Sequence, residues 1–196
     1  MIYLTSDTHF SHYNIMRYSN RPFATVKEMD TVLIDNINKL VKKTDVLYHL
    51  GDWSFGNPWQ FANRIDCKMI HLIRGNHDKF DERAELPFRT ISDIKTIKTE
   101  IANQRVEIVC CHYAMRVWNK SHHGACHAWA HSHGSLMDDP NSRSMDVGVD
   151  NIAKILSKDG ILQPENYRPI SIVEFMDYMK LKKWKPVDHH GAKKDE

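Results

Sequence analysis

The sequence predicts an α/β layer fold, on three observations. Strand-like and helix-like segments alternate from Ile2 to Ile73, an order that favours parallel strands. Beyond that point strand follows strand, which reads as antiparallel pairing. Ligand-type side chains stand at the C-terminal ends of the strands, where open α/β sheets place their sites.

Taken in order, Ile2 to Ser6 is the first strand, running into Asp7-Thr8-His9. In an extended chain, positions two apart share a face, so Asp7 and His9 are placed to grip one ion. His12 follows, with Arg17 and Arg21 on a predicted loop closing at Pro22; contact with a phosphate and plain solvation are both open for these three. Thr25 to Lys43 is the clearest helix. Thr25 and Glu28 form a T-x-x-E capping box, Val26, Met29, Leu33, Ile37, Leu40 and Val41 recur at steps of three and four, and Lys42 and Lys43 suit the last turn of a helix dipole. It carries no assigned chemistry. Asp45 to Leu50 is a second buried strand ending in Gly51-Asp52, with His49 read as a core or supporting histidine. Asn57 to Arg64 is a short helix with Pro58 in its first turn.

Lys68 to Ile73 is the third strand, and it stops abruptly at Arg74-Gly75-Asn76-His77-Asp78. The glycine lets the backbone turn tightly and lie close to whatever is bound. An amide oxygen, an imidazole and a carboxylate then follow in three consecutive residues. For Arg74, contact with phosphate and pairing with a carboxylate behind the site are both open.

Phe88 to Lys98 and Arg105 to Cys111 are predicted as two antiparallel strands with a turn near Asn103, ending at His112. The segment from there to Gly134 reads as a long loop rich in Trp, Gly and His that closes with His131-Ser132-His133, again two ligands on one side of an extended chain. Ser144 to Val149 is a further strand, with Met145, Val147 and Val149 on one face. Ser171 to Lys183 is the last helix, with a Ser171/Glu174 capping box and an apolar stripe of Ile172, Phe175, Met176 and Met179. With no internal repeat and no linker, residues 1–187 form one predicted domain, and Asp188 to Glu196, polar and without an apolar anchor, is expected to be a disordered tail.

Composition narrows the function classes. At 196 residues with 41% hydrophobic content the chain suits one globular domain. The formal net charge of +2 neither demands nor excludes nucleic acid. No apolar run reaches the roughly 18 residues of a membrane span, and the N-terminus has no secretory leader pattern, so no membrane contact and a cytoplasmic location are expected. Cys67, Cys110, Cys111 and Cys126 contain no C-x-x-C pair, which disfavours both zinc thiolate and a disulfide framework and favours buried free thiols; Cys126 is read as a bystander. Histidine is the outlier, 13 residues with six between His112 and His133, and it serves as metal ligand and as general acid or base.

The series D-x-H, G-D, G-N-H-D, a single His after a strand and H-x-H, together with Met145–Asn151 (MDVGVDN), resembles the calcineurin-like metallophosphoesterase superfamily, in its short bacterial and phage-type members. The resemblance spans Asp7 to His133 and implies a four-layer α/β/β/α sandwich of two mixed sheets flanked by helices. It implies two divalent ions, Mn, Fe or Zn, with manganese the expected choice in vitro. Asp7, His9, Asp52 and His133 would bind the first ion; Asp52, Asn76, His112 and His131 would bind the second, with Asp52 bridging. His77 would face the phosphate and protonate or stabilise the leaving oxygen, His12 would touch substrate, and Asp78 would support the site or cap a helix. Ala130 departs from the glycine that precedes H-x-H in many relatives. The activity implied is hydrolysis of a phosphomonoester or phosphodiester by a metal-activated hydroxide, with no covalent enzyme intermediate. About +4 from the ions against −2 from two aspartates leaves a site that attracts phosphate, and mixed N and O donors suit those metals. The run Gly51 to Gly56 lacks the arginine of the G-D-x-x-D-R-G motif of phosphoprotein phosphatases, which disfavours protein dephosphorylation; a small phosphodiester or nucleotide-type phosphoester is expected as substrate, with no protein partner evident. The alternatives are a nuclease on DNA or RNA, for which extra holding domains are usual, and a non-catalytic scaffold, for which loss of ligands is usual.

Overall fold

The computed structural model describes residues 1–81 and 85–187, so the predicted tail, 188–196, lies outside the described residues. The elements in chain order are β1 (Ile2–Thr5), α1 (Tyr13–Tyr18), α2 (Val26–Leu40), β2 (Val46–His49), α3 (Pro58–Ala62), β3 (Ile70–Ile73), β4 (Thr90–Ser92), β5 (Ile94–Ile101), β6 (Gln104–Cys111), β7 (Cys126–Trp129), β8 (Ser144–Asp146), α4 (Val149–Leu156), β9 (Ile170–Ser171) and α5 (Ile172–Lys180).

The strands form two mixed sheets. The first has the order β4-β3-β2-β1-β9, parallel except for β9; the second has the order β5-β6-β7-β8, with an antiparallel β5–β6 hairpin and parallel neighbours beyond it. Strand alternation decides which side chains meet. In the first sheet, Leu47, Ile70 and Leu72 point to one side and pack with Met29, Leu33 and Ile37 of α2 and Phe61 of α3. Leu4 and Ile73 point to the other side and share a core with Ile97, Ile108, Cys110, Ala128 and Met145 of the second sheet. The two sheets share that core. From α5, Ile172, Phe175 and Met179 enter it, and Met176 Sδ lies 3.9 Å from Cys126 Sγ. The cysteines are buried and free, as expected. Among the described residues no helix is long and apolar enough to cross a membrane.

Several boundaries differ from expectation. The run 88–98 is not one strand: β4 pairs with β3 in the first sheet, and β5 begins two residues later in the second. Apolar content is continuous through both, so periodicity does not mark the crossing. The turn after β5 is where predicted, with Ala102 and Asn103 at φ +49° and +64°. Within the expected loop 112–134, Cys126–Trp129 forms β7, buried throughout because it runs between β6 and β8. The predicted strand 144–149 stops at Asp146, and Val149 opens α4, which was not foreseen. The α2 helix ends at Leu40; beyond it the Asp45 carboxylate accepts the Lys42 N–H and the N-terminal ammonium. At its start the Thr25 hydroxyl accepts the Glu28 N–H, but Glu28 reaches back to Ala24 rather than to Thr25. The capping box of α5 is complete. The outer face of the second sheet is covered by loop segments: the His127 ring accepts the Met115 N–H, lies 5.2 Å from the Trp118 ring, and Trp184 donates to the Ser121 carbonyl.

Two isoleucines of β5 test this register. Ile97 is 4% exposed and Ile94 is 56% exposed. In urea unfolding, Ile97→Ala is expected to cost about 2–5 kcal/mol and Ile94→Ala no more than about 0.5 kcal/mol; equal losses would contradict the face assignment.

Candidate metal centre

The ligand-bearing strand ends are not extended. Asp7, His9, Asp52, His131 and His133 have φ between +49° and +71°, a left-handed conformation that costs a non-glycine residue on the order of 1–3 kcal/mol and persists only where its surroundings over-determine it. Two expectations are corrected by this. Asp7 and His9 do meet, but through left-handed kinks rather than strand alternation. His131 and His133 do not point to one side: His133 joins Asp7 and His9, while His131 joins Asp52 and His112. In each trio the ligand atoms lie within 4.8 Å of one another.

The kinks are held from several directions. The loops after β1 and β2 run side by side, with the Asp7 N–H on the Gly51 carbonyl and the His9 N–H on the Asp52 carbonyl, both at 3.0 Å. The Asp78 carboxylate accepts N–H groups from Asp52 (2.8 Å), Trp53 (2.9 Å) and Gly75 (2.8 Å), which binds the loop after β2 to the loop after β3. This close approach needs glycine: a Cβ on Gly75 would lie 2.3 Å from Asp52 Oδ1, and one on Gly51, at φ +104°, would lie 2.5 Å from Gly75 N.

Asp52, a member of the second trio, also faces the first. Its Oδ1 accepts the His77 N–H at 2.9 Å, and its Oδ2 is 3.4 Å from His9 Nε2 and 3.5 Å from His112 Nε2. His112 donates Nδ1–H to the Leu50 carbonyl at 2.7 Å, which turns Nε2 toward Asp52 and toward Asn76 Oδ1 at 3.2 Å. His133 places Nδ1 2.6 Å from Asp150 Oδ2. Burial, with Asp146, Asp52 and Asp150 nearby, pushes the Asp7 carboxyl well above the usual range. Burial also drives the His9 imidazole down to about 2, so it is neutral. Burial works to raise Asp52, but His112, the His77 N–H and His9 hold it below the ordinary carboxylate value.

These features fit divalent cations. Asp7 Oδ1 and His9 Nε2 are buried without a hydrogen-bond partner, and both belong to the same trio. Two acceptor atoms with no donor between them, in a region crowded with carboxylates, suit a shared Lewis acid; buried polar groups are otherwise almost always satisfied. Nitrogen and oxygen donors without thiolate suit Mn, Fe or Zn.

The other predicted residues fall around the trios. Asn76 and His77 are exposed at the rim. His12 is half-buried and stacks on Phe55 with centroids 3.8 Å apart. These two rings, His77 and Lys154 line a cleft of about 780 Å³ together with His9, His131 and His133. Arg17 is exposed on α1 rather than on a loop. Arg74 pairs with Asp93 at 3.6 Å, both exposed. Arg21 is neither solvated nor open to a phosphate: it is buried and paired with Asp150. His49 is fully buried against the Thr8 hydroxyl at 3.0 Å, a supporting histidine as expected. Cys126 belongs to neither trio. The sequence reading missed Arg21 as a structural cation, Phe55, Asp146 and Asp150. Val149, Ile152, Ala153 and Leu156 do have helical spacing, so the helix carrying Asp150 had a readable signal.

Comparison with known proteins supplies an independent line. A sequence model described as calcineurin-like phosphoesterase matches residues 1–162. An uncharacterised protein of Methanocaldococcus jannaschii is 45% identical over 86 residues, covering 42% of this chain and 49% of that protein; the match therefore spans about half of the relative's length. A crystal structure of a protein of unknown function from Aquifex aeolicus superposes with a TM-score of 0.61 at 21% identity, over 91% of this chain and 98% of that one, which is a likeness of fold.

The role of Asp78 can be measured apart from any activity. Asp78→Ala leaves three buried N–H groups without their acceptor, at about 1–3 kcal/mol each. A loss of about 3 kcal/mol or more in urea unfolding is expected; a loss under about 1 kcal/mol would mean that other contacts hold the two loops together.

Proposed function

The chain belongs to the calcineurin-like phosphoesterase family, and on that premise we propose that it is a hydrolase that cleaves a small, nucleotide-type phosphoester with the help of two divalent cations. The observation that carries the reading is Asp52, one carboxylate within 3.5 Å of a histidine from each trio. Asp7, His9 and His133 with Asp52 would hold one cation; Asp52, Asn76, His112 and His131 would hold the other. When bound, such a pair supplies Lewis-acid chemistry, making water a nucleophile near neutral pH and drawing charge from the phosphoryl oxygens.

The remaining steps belong to the chain's own side chains. Asp52 is held in orientation by the His77 N–H and, through its own N–H, by Asp78. His77, at the rim with its ring centroid 5.5 Å from that of His9, is placed to hold a proton for the leaving oxygen. Phe55, half exposed and stacked on His12, offers a flat apolar face beside the cleft, and a nucleobase or aryl group would stack on it. This supports a nucleotide-type substrate over a bare phosphate. The complete donor set argues against a non-catalytic scaffold. In architecture, we read the two face-to-face sheets and their helices as this family's α/β/β/α sandwich, with loop segments occupying much of the outer layer on the second sheet.

Purified protein with Mn²⁺ is expected to hydrolyse bis-p-nitrophenyl phosphate or p-nitrophenyl phosphate, and a panel of nucleotides, cyclic nucleotides and diesters is expected to favour a base-containing substrate. Asp52→Asn is expected to lose bound metal and turnover together. No turnover of any substrate with Mn²⁺, Fe²⁺ or Zn²⁺ would refute the reading. His77→Ala is expected to keep both metal equivalents while kcat falls about 10²–10⁴-fold, the size of effect from removing a general acid; loss of metal instead would make His77 a ligand.

A further inference from the structure

Arg21 and Asp150 form the most enclosed ion pair in the molecule's described part, with side chains 0% and 1% exposed. The contact is bidentate: Nε donates to Asp150 Oδ1 at 2.8 Å and Nη2 to Oδ2 at 2.7 Å. The same guanidinium also donates to two main-chain carbonyls of the first strand end, Nη1 to Thr8 at 3.0 Å and Nη2 to Asp7 at 2.6 Å. The same Asp150 Oδ2 also meets His133 Nδ1 at 2.6 Å. One connected network thus ties the Asp7-Thr8-His9 turn to the ring of His133, residues 124 to 126 positions apart in the chain by number but joined in one trio.

A buried ion pair is weak evidence for stability, because desolvation offsets much of the Coulombic gain. Its geometry here points to positioning. Both Asp150 oxygens accept from the Arg21 guanidinium, which holds the carboxylate in one orientation with Oδ2 against His133 Nδ1. A carboxylate held against Nδ1 orients the ring and turns Nε2 away from it, the arrangement in which a carboxylate directs a metal-binding histidine. The rest of the α4 region serves the same loop: Asp146 accepts the Gly134 N–H at 3.0 Å, and Lys154 donates to the His133 carbonyl at 2.9 Å. In the second trio His112 is oriented instead by the Leu50 carbonyl.

We propose that Arg21 and Asp150 are a positioning pair dedicated to the Asp7/His9/His133 trio, fixing the tautomer and direction of His133 and the closure of the Asp7–His9 turn, so that they set the cation affinity of that position and not of the other. The proposal rests on the two-cation reading above.

The test is calorimetric Mn²⁺ and Zn²⁺ binding to the full chain, with histidine ¹⁵N NMR on the metal-free protein. Asp150→Asn keeps the shape and removes the charge. The double variant Arg21→Met with Asp150→Asn removes both charges, so no uncompensated ion is left buried to prevent folding. In each, one of the two cation equivalents is expected to bind about 10–100-fold more weakly while the other is unchanged. In NMR the wild-type His133 ring is expected as the Nδ1–H tautomer, a preference lost in Asp150→Asn. A general loss of structure would not weaken one site alone. Equal weakening at both sites, unchanged affinity at both, or an Nε2–H ring in the wild type would overturn the positioning role while leaving the two-cation reading intact. Failure of the wild-type chain to bind two cations would overturn both.

Discussion

Three backbone N–H groups from two strand-end loops converge on one carboxylate, that of Asp78. Much of the site follows from this. The loop after β2 alone would leave the Asp52 and Trp53 N–H groups unsatisfied at a cost of about 1–3 kcal/mol apiece; Asp78, carried by the loop after β3 and already accepting that loop's own Gly75 N–H, satisfies both. The close approach excludes a Cβ at Gly51 and Gly75 and sets Asp52 at the junction of two histidine groups, with its orientation fixed by the His77 N–H. Backbone satisfaction, rather than side-chain attraction, places the central ligand.

Around that junction the charge is deliberately unbalanced. Asp7, Asp52, Asp146 and Asp150 are all buried, and among the described residues Arg21 is the buried arginine or lysine. Burial would ordinarily neutralise such a group of carboxylates. The strained backbone at five of the ligand-bearing positions adds a further local cost. Both costs make sense where bound cations return the energy, and they accord with the phosphoesterase family to which the chain belongs. The two sheets that carry these strand ends share one apolar core, which resists their distortion.

Much of this was legible in residue order. The α2 and α5 helices announce themselves by capping residues and period, and both stand within a few residues of expectation. Six of the ligand-type residues, Asp7, His9, Asp52, His112, His131 and His133, come together in two trios. The errors have physical reasons. The run 88–98 is apolar through the crossing from one sheet to the other, so nothing local marks Asp93 as the break. The β7 strand is short and buried on both faces, so it lacks alternation and its His and Cys read as loop. The start of α4 was absorbed into a strand because Met145, Val147 and Val149 happen to alternate before the helical spacing begins.

The sequence by itself determined the kinds of donor available and that they follow strand ends, because those facts are properties of residue identity and short-range order. It also determined the family. Only the tertiary structure decided how the donors are shared. The D-x-H and H-x-H pairs look alike as extended tripeptides, yet hydrogen bonds from distant loops hold them in left-handed kinks that send Asp7 and His9 to one point and part His131 from His133. It likewise turned Arg21 from a candidate phosphate contact into a buried partner of Asp150. Local propensity cannot specify either outcome, because each depends on contacts between residues more than a hundred positions apart in the chain.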